Sequence, residues 1–183
     1  MVERYGYTHI SSGDLLRAEV ASGSDRGKKL EKLMKRGILV PDNVVLDMIK
    51  EKMLEGHANG AKGYLIDGYP RQLGQGKEFE SSIVPAALVL NIVASDETMK
   101  NRCLSRGKAT GRTDDNEDAI KQRLKVHHEQ TKPILDYYEK AGKLRNVDSE
   151  GSVDEVFKTA KKHIDKFNSN FFLQLFLKLS VWY

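Results

Sequence analysis

Short apolar runs alternate with longer amphipathic segments along most of this chain. Four runs have the length and composition of strands that are covered on both faces: 8–10, 63–67, 87–93 and 144–147. Segments with apolar residues at helical spacing cover 12–19, 25–35, 41–55, 96–106, 116–138 and 153–168. This alternation predicts an α/β fold with a mostly parallel sheet flanked by helices.

Two of these segments depart from a simple strand and helix alternation. Three predicted helices separate the first two strands, which is more than a βαβ link needs, so we expect a small helical insertion that covers a ligand. Pro133 lies within the long polar segment 116–138, where its missing N–H predicts a bend.

The apolar segment 171–183 follows the last predicted helix. It is too short for a transmembrane helix, which needs about 20 residues. Three interpretations stay open: a docking segment, a weak membrane-surface segment, or a stretch without a folded role.

Composition narrows the functional class. A chain of 183 residues fits one domain. The net charge of +4 suits an anionic ligand, but the charges are too evenly mixed to demand nucleic acid. One cysteine allows no internal disulfide or cysteine-rich zinc site, and residues 1–4 begin no apolar signal segment, so we expect a cytoplasmic protein. Phosphorylated small molecules are the expected ligands.

The most specific local motif is Asp67-Gly68-Tyr69-Pro70-Arg71, which ends a buried strand run. Ligands of open α/β sheets bind beyond the carboxyl ends of the strands. Asp67 could hold a metal-bound water there, and the guanidinium of Arg71 matches phosphate oxygens. The alternative is an ordinary turn with a solvated arginine.

A second strand end runs into a helix at Ser11-Ser12-Gly13-Asp14-Leu15-Leu16-Arg17. A helix N-terminus presents free N–H groups, and Arg17 adds a full positive charge one turn inside. This pattern predicts a site for an anion or a base edge. Simple helix capping with a surface arginine is the alternative.

The third motif is a basic arm from Arg106 to Asp115, followed by Arg123 on the next helix. Glycines at both ends, Gly107 and Gly111, predict an arm that closes over a substrate and carries arginines inward. Phosphoryl transfer needs such cations, because its transition state spreads negative charge over the equatorial oxygens. The alternative is a solvated basic loop. The histidines have no metal-ligand spacing.

Together these motifs resemble the adenylate kinase family of nucleoside monophosphate kinases, specifically its short-lid cytosolic type. The similarity runs from about residue 5 to 157 and includes Tyr-Gly-Tyr-Thr-His-Ile-Ser-Ser-Gly-Asp-Leu-Leu-Arg, Leu-Ile-Asp-Gly-Tyr-Pro-Arg and Gly-Arg-Thr-Asp-Asp-Asn-Glu. The resemblance implies a P-loop-NTPase-type parallel sheet and reversible phosphoryl transfer, ATP + AMP = 2 ADP, with Mg²⁺. It further implies a cytoplasmic monomer that binds no nucleic acid.

The resemblance also assigns domains and site residues. It implies one domain over 1–168, with an NMP-binding insertion at about 11–40 and a lid at about 105–115, and leaves 169–183 outside as a tail. AMP would bind Ser12, Arg17, Ile38, Leu39, Val40, Gly68, Arg71, Gln75, Arg112 and Arg123. The catalytic set would be Asp67, Arg71, Arg106, Arg112 and Arg123, with Arg106 and Gly151 on ATP and Asp114 and Asp115 steadying the lid.

One departure from the family pattern affects both fold and activity. The family opens with an apolar strand and a Gly-x-x-x-x-Gly-Lys phosphate loop, and this sequence contains no such motif. We therefore expect an amino-terminally truncated chain whose sheet lacks its central strand. Two neighbouring strands would then lie about 10 Å apart across a void. The expected function is a kinase that is inactive alone, and the alternative is a non-catalytic AMP-binding or interaction module.

Overall fold

The computed structural model describes residues 2–168 and the backbone of 174–179. Its strands are β1 (Thr8–Ser11), β2 (Gly63–Asp67), β3 (Leu88–Val93), β4 (Leu144–Asp148) and β5 (Gln174–Leu179). Its helices are α1 (Val2–Tyr5), α2 (Ser12–Ala21), α3 (Asp25–Lys35), α4 (Asp42–Ala58), α5 (Leu73–Ser82), α6 (Asp96–Thr110), α7 (Glu117–Val126), α8 (Lys132–Lys140) and α9 (Val153–Asn168). One π-helical turn, His127–Thr131, joins α7 to α8. The α/β prediction is confirmed.

Side-chain caps fix where several of these helices begin. Ser24 precedes α3 and accepts a hydrogen bond from the amide of Gly27 at 2.8 Å. Asn116 precedes α7 and accepts from the amide of Ala119 at 2.9 Å. Such caps satisfy backbone donors that the first helical turn leaves free, which explains why serine and asparagine stand at these boundaries.

The five strands form one parallel sheet in the order β1-β2-β5-β3-β4. β5 pairs with β2 from Gly63↔Gln174 to Asp67↔Lys178, and with β3 from Leu88↔Phe176 to Asn91↔Leu179. The expected void between β2 and β3 is therefore wrong. A strand from the C-terminal segment holds the central position and pairs with β2 over Gly63–Asp67 and with β3 over Leu88–Asn91.

Register explains why this segment suits the central position. Leu175, Leu177 and Leu179 lie in register with Tyr64, Ile66 and Asn91, on one face of the sheet. Phe176 and Lys178 take the opposite face, in register with Leu65 and Asp67 of β2. The leucine at every second position thus matches the two-residue period of a strand.

Each face of the sheet supports its own buried cluster. The larger cluster joins the sheet to α2–α5 and α8, and includes Ile10, Leu30, Val45, Ile49, Ile66, Phe79, Val89, Ile134 and Tyr138. The smaller cluster lies under α9 and includes Tyr7, Leu65, Leu88, Leu90, Val147, Ala160 and Ile164. The sheet is therefore covered on both sides, as parallel sheets are.

Besides β5 and the short helix α1, which were not predicted, three elements differ from the sequence-based prediction. Helix α5 was not predicted, since Gly74 and Gly76 interrupt its apolar pattern. A Cβ at Gly76 would lie 2.9 Å from the Ile134 side chain, so this glycine allows α5 to approach α8 closely. The predicted bend near Pro133 is a π-helical turn directly before it, and α6 extends to Thr110 rather than ending at 106.

Candidate active site

The junction between β1 and α2 forms one wall of the site. Ser11 caps α2 by accepting a hydrogen bond from the amide of Asp14 at 3.3 Å. Ser12 is buried, and its hydroxyl donates to the carbonyl of Gly68 at 3.0 Å. This hydrogen bond ties the start of α2 to the turn after β2.

The turn after β2 has a backbone conformation that favours glycine. Gly68 has φ +72°, and a Cβ there would lie 3.0 Å from the hydroxyl of Ser12. The guanidinium of Arg71 folds back and donates from Nε to the carbonyl of Gly68 at 3.0 Å. The tight turn therefore holds Arg71 beside the start of α2.

A hydrogen-bond network fixes Gln75 at the base of this turn. Its Oε1 accepts from the amide of Arg71 at 2.7 Å, and its Nε2 donates to Asp42 at 2.8 Å. Gln72 donates to the other oxygen of Asp42 at 2.6 Å. Gln75 is almost completely buried. The network connects the start of α4 to the turn after β2.

An ion-pair cluster organises the other wall. The guanidinium of Arg106 makes two hydrogen bonds of 2.7 Å to the carboxylate of Asp115. Arg123 donates to the same carboxylate at 3.3 Å. The Asp115 side chain has no solvent exposure. Burial would raise its pKa, but the hydrogen bonds from Arg106 and the nearby guanidiniums lower the pKa below its usual value.

Two further arginines connect the walls through looser contacts. Arg17 lies 3.6 Å from Asp114, and Arg112 lies 3.7 Å from Asp14. Burial, followed by the charges of Arg17 and Arg106, lowers the pKa of Arg112. Asp14 on α2 and Asp114 in the 111–115 loop thus each contact arginines of both walls and partly balance their positive charge.

These two walls enclose a pocket rich in guanidinium groups. It is lined by Ser11, Ser12, Gly13, Leu16, Arg17, Met34, Gly37, Ile38, Leu39, Val40, Val45, Gly68, Tyr69, Arg71, Gln75, Arg106, Arg112, Asp114 and Arg123. Burial, and then the charge of Arg123, lowers the pKa of Arg71 to about 10, which keeps it cationic at pH 7. Arginines outnumber the carboxylates that contact them, so the pocket favours an anion.

The structure brings most of the predicted site residues together. The lining contains every residue that the resemblance assigned to AMP: Ser12, Arg17, Ile38, Leu39, Val40, Gly68, Arg71, Gln75, Arg112 and Arg123. Arg106 and Asp114 also line it. The local motifs had allowed a turn, a helix cap and a solvated loop as alternatives. Their convergence on one pocket favours the interpretation as a binding site.

Three predicted residues lie elsewhere. Asp115 does not line the pocket, but it forms ion pairs with Arg106 and Arg123, which do. Asp67 is buried at the carboxyl end of β2, and its carboxylate lies 3.6 Å from Nε2 of His9. Gly151 is exposed in the loop between β4 and α9 and does not line the pocket. Its predicted role in lining an adenine pocket for ATP stays a prediction.

The predicted glycine hinge is wrong at one end. Gly107 lies inside α6, and a Cβ there would come within 2.9 Å of Asp115. It therefore packs against the loop that follows α6. Gly111 does end the helix, with φ +67°.

Sequence reasoning missed two kinds of residue at the site. Met34 and Val45 form apolar parts of the lining. Only their spacing along the predicted helices could have indicated that they face the pocket. Thr131, in the π-helical turn, donates from its hydroxyl to the carbonyl of Arg71 at 3.2 Å. Such turns often occur at functional sites, but the sequence signal here was limited to Pro133 nearby.

The described parts of the chain contain neither a metal-binding cluster nor a membrane-spanning helix. Within 2–168 and 174–179, no three acidic, histidine or cysteine residues are grouped to hold a metal ion. No helix in these ranges is long and apolar enough to cross a membrane.

Comparison with known proteins defines the class. The adenylate kinase family profile matches residues 1–143. Adenylate kinase isoenzyme 1 of Cyprinus carpio is 55% identical over 166 residues, which cover 91% of this chain and 85% of the relative. The Homo sapiens isoenzyme 1 is 52% identical over 165 residues, which cover 90% of this chain and 84% of the relative. The Caenorhabditis elegans isoenzyme 1 is 51% identical over 169 residues, covering 92% and 80%.

The chain is thus a phosphotransferase homologue of the nucleoside monophosphate kinase class. It belongs to the adenylate kinase family. The resemblance stated from the three motifs is confirmed.

Proposed function

We propose that this chain binds AMP in the arginine-lined pocket and catalyses ATP + AMP = 2 ADP. The observation that supports this most is the convergence of three motifs, distant in sequence, on one pocket with five guanidinium groups. Residues of about 11–40 form the NMP-binding insertion, and those of about 105–115 form the lid.

The pocket's chemistry fits a nucleoside monophosphate. Arg17, Arg71 and Arg123 hold the phosphate, because planar guanidinium forks match its oxygens. The apolar groups of Leu39, Val40 and their neighbours accept the base and sugar. Ser12 and Gln75 fix the base edge, and Gln75 favours adenine over pyrimidines.

The arginines accelerate the reaction by stabilising the negative charge of the phosphoryl-transfer transition state. Phosphoryl transfer requires little covalent chemistry from the protein, so catalysis consists mostly of positioning and neutralising charge. Arg106 and Arg112 act on the transferred group, while Asp115 keeps Arg106 in place through its paired hydrogen bonds. Bringing an anion between these arginines also relieves their mutual repulsion.

Mg²⁺ accompanies the donor nucleotide. This ion prefers oxygen ligands, keeps several waters and often binds through one carboxylate together with substrate phosphates. Asp67 suits that role, since it is an oxygen donor at the ligand-binding edge of a parallel sheet. It would hold the ion through water.

A turnover assay tests this function. Full-length chain is mixed with Mg-ATP and AMP, and ADP formation is followed by a coupled assay. Arg112→Lys should lower turnover by orders of magnitude and leave the melting temperature nearly unchanged, because a point charge replaces a two-pronged donor. Arg26→Lys is the matched control, since the Arg26 side chain is exposed, lies outside the pocket lining and pairs with Glu19. Equal turnover in both variants would refute the role of Arg112.

One observation favours a second function, an AMP-binding module without turnover. The sequence has no Gly-x-x-x-x-Gly-Lys phosphate loop, and that loop normally supplies backbone N–H groups and a lysine to the donor phosphates. The AMP pocket does not depend on it. AMP binding by titration, without ADP formation from Mg-ATP, would select this second function.

A further inference from the structure

The carboxamide of Gln75 lies between two partners whose hydrogen-bonding roles cannot be exchanged. The backbone N–H of Arg71 can only donate, and it donates to Oε1 of Gln75 at 2.7 Å. The carboxylate of Asp42 can only accept, and it accepts from Nε2 at 2.8 Å. These two contacts therefore fix which side of the carboxamide carries the oxygen and which carries the nitrogen.

Asp42 is held in place by its own surroundings. It lies in the first turn of α4, where the helix dipole favours a negative charge. Its second oxygen accepts a hydrogen bond from Nε2 of Gln72 at 2.6 Å. Asp42 does not line the arginine pocket, so it can act on a ligand there only through Gln75.

Gln75 offers its remaining hydrogen-bonding capacity to the pocket that it lines. A carboxamide has two N–H donors and two acceptor lone pairs. Among the described residues, the contacts with Arg71 and Asp42 leave one N–H of Nε2 and one lone pair of Oε1 for a ligand. Because Gln75 is only 2% exposed, a mismatched ligand would leave these groups without water to replace the missing partner.

Two purine bases of the same shape require opposite orders of donor and acceptor. Adenine presents an acceptor at N1 and an amino donor at position 6, whereas hypoxanthine presents an N1–H donor and a carbonyl acceptor. A carboxamide that is free to rotate by 180° can pair with either base. In this chain the rotation would set Nε2 against the N–H of Arg71 and Oε1 against the carboxylate of Asp42. Both contacts would then join like groups, which opposes the rotation.

We propose that Asp42 is a positioning residue that makes the pocket selective for adenine over 6-oxopurines, because it prevents rotation of the Gln75 carboxamide. The inference rests on the proposed AMP site and deepens it, since a glutamine that could rotate would exclude neither purine. A site built to pair with one arrangement of donors and acceptors rejects the other strongly, because its buried polar groups would be left unpaired.

Titration of the full chain with AMP and with IMP, the nucleotide of hypoxanthine, tests this role by calorimetry. The wild type should bind AMP more tightly. Asp42→Asn should lower the ratio of AMP affinity to IMP affinity about tenfold, because an asparagine can accept from Nε2 or donate to Oε1, and one hydrogen bond to a charged group is typically worth that factor. Asp47→Asn makes the same change at an exposed position of α4 and should leave the ratio unchanged.

Asp42→Ala separates the positioning role from a purely structural one. A structural role would weaken AMP and IMP binding by the same factor, whereas the inference predicts a smaller loss for IMP. Equal factors in Asp42→Ala, an unchanged ratio in Asp42→Asn, or a wild type that binds IMP as tightly as AMP would each overturn the inference. A folded wild type that binds neither nucleotide would instead refute the proposed function, which keeps the two failures distinguishable.

Discussion

Replacement of Asp115 by asparagine tests whether the lid arginines depend on one buried carboxylate. The Asp115 side chain is fully buried, and it receives two hydrogen bonds of 2.7 Å from Arg106. Asparagine keeps the size but removes the charge, so Arg106 and Arg123 lose their common counter-ion. Breaking a buried ion pair from one side destabilises a protein by about 3–5 kcal/mol.

That magnitude is easy to measure. For a protein of this size, each kcal/mol corresponds to about 2–4 °C in melting temperature, so the expected decrease is about 6–20 °C. Urea unfolding should give the same free-energy difference. The control is Asp14→Asn, because the Asp14 side chain is 61% exposed beside Arg17 and such pairs contribute only about 0–1 kcal/mol. Equal effects of the two substitutions would refute the reasoning.

The pH dependence of this difference follows from the lowered pKa of Asp115. A carboxylate with a lowered folded-state pKa stabilises the fold above its unfolded-state pKa, and loses that contribution as the pH falls through the folded-state value. The gap between wild type and Asp115→Asn should therefore be constant near neutral pH and shrink below the ordinary value of 3.8. A gap that stays constant at acid pH would contradict the assignment.

Three other substitutions test separate parts of the structure. Gly68→Ala should lose about 1–2 kcal/mol through its left-handed backbone and also weaken AMP binding in a titration, because its Cβ would lie 3.0 Å from a serine hydroxyl. Gly60→Ala has a similar φ of +74° and open space around it, so it should leave AMP binding unchanged. Asp42→Ala should cost about 1–3 kcal/mol in urea unfolding, since the buried amide of Gln75 loses its acceptor; an unchanged midpoint would contradict this. Leu177→Pro should lower stability by about 1–3 kcal/mol beyond Leu177→Ala, because it leaves a backbone carbonyl at the centre of the sheet without its N–H partner. Equal melting temperatures of the two variants would argue against β5.

The binding pocket was predictable because its chemistry is encoded locally. Strand ends, a helix cap and a turn glycine can each be recognised from a few consecutive residues, such as Asp67 to Arg71. Parallel topology then brings the carboxyl ends of different strands to one edge. The family resemblance supplied Ile38, Leu39 and Val40, which no local charge pattern distinguishes.

The central strand was not predicted, because its partners are distant in sequence. Leucine at positions 175, 177 and 179 does show the two-residue period of a strand. Nothing in that segment indicates, however, that it pairs between β2 and β3, which end far earlier in the chain. Non-local pairing of this kind is decided by burial of both faces rather than by local propensity.

The unpredicted details near Arg71 have a similar origin. Gly74 and Gly76 weaken helix propensity, yet α5 forms because tertiary packing outweighs it. The π-helical turn places Thr131 against the carbonyl of Arg71, a contact that spans 60 residues of sequence. Both features depend on α8 packing against α5, which no local pattern reveals.

Phosphorus NMR of the full chain supplied with Mg-ADP alone tests the central claim most directly. The reaction is reversible, so resonances of ATP and AMP should appear in equal amounts, and they should appear orders of magnitude more slowly with Arg112→Lys. A spectrum that retains only ADP, from folded chain that binds AMP, would contradict kinase activity and leave the nucleotide-binding module as the function.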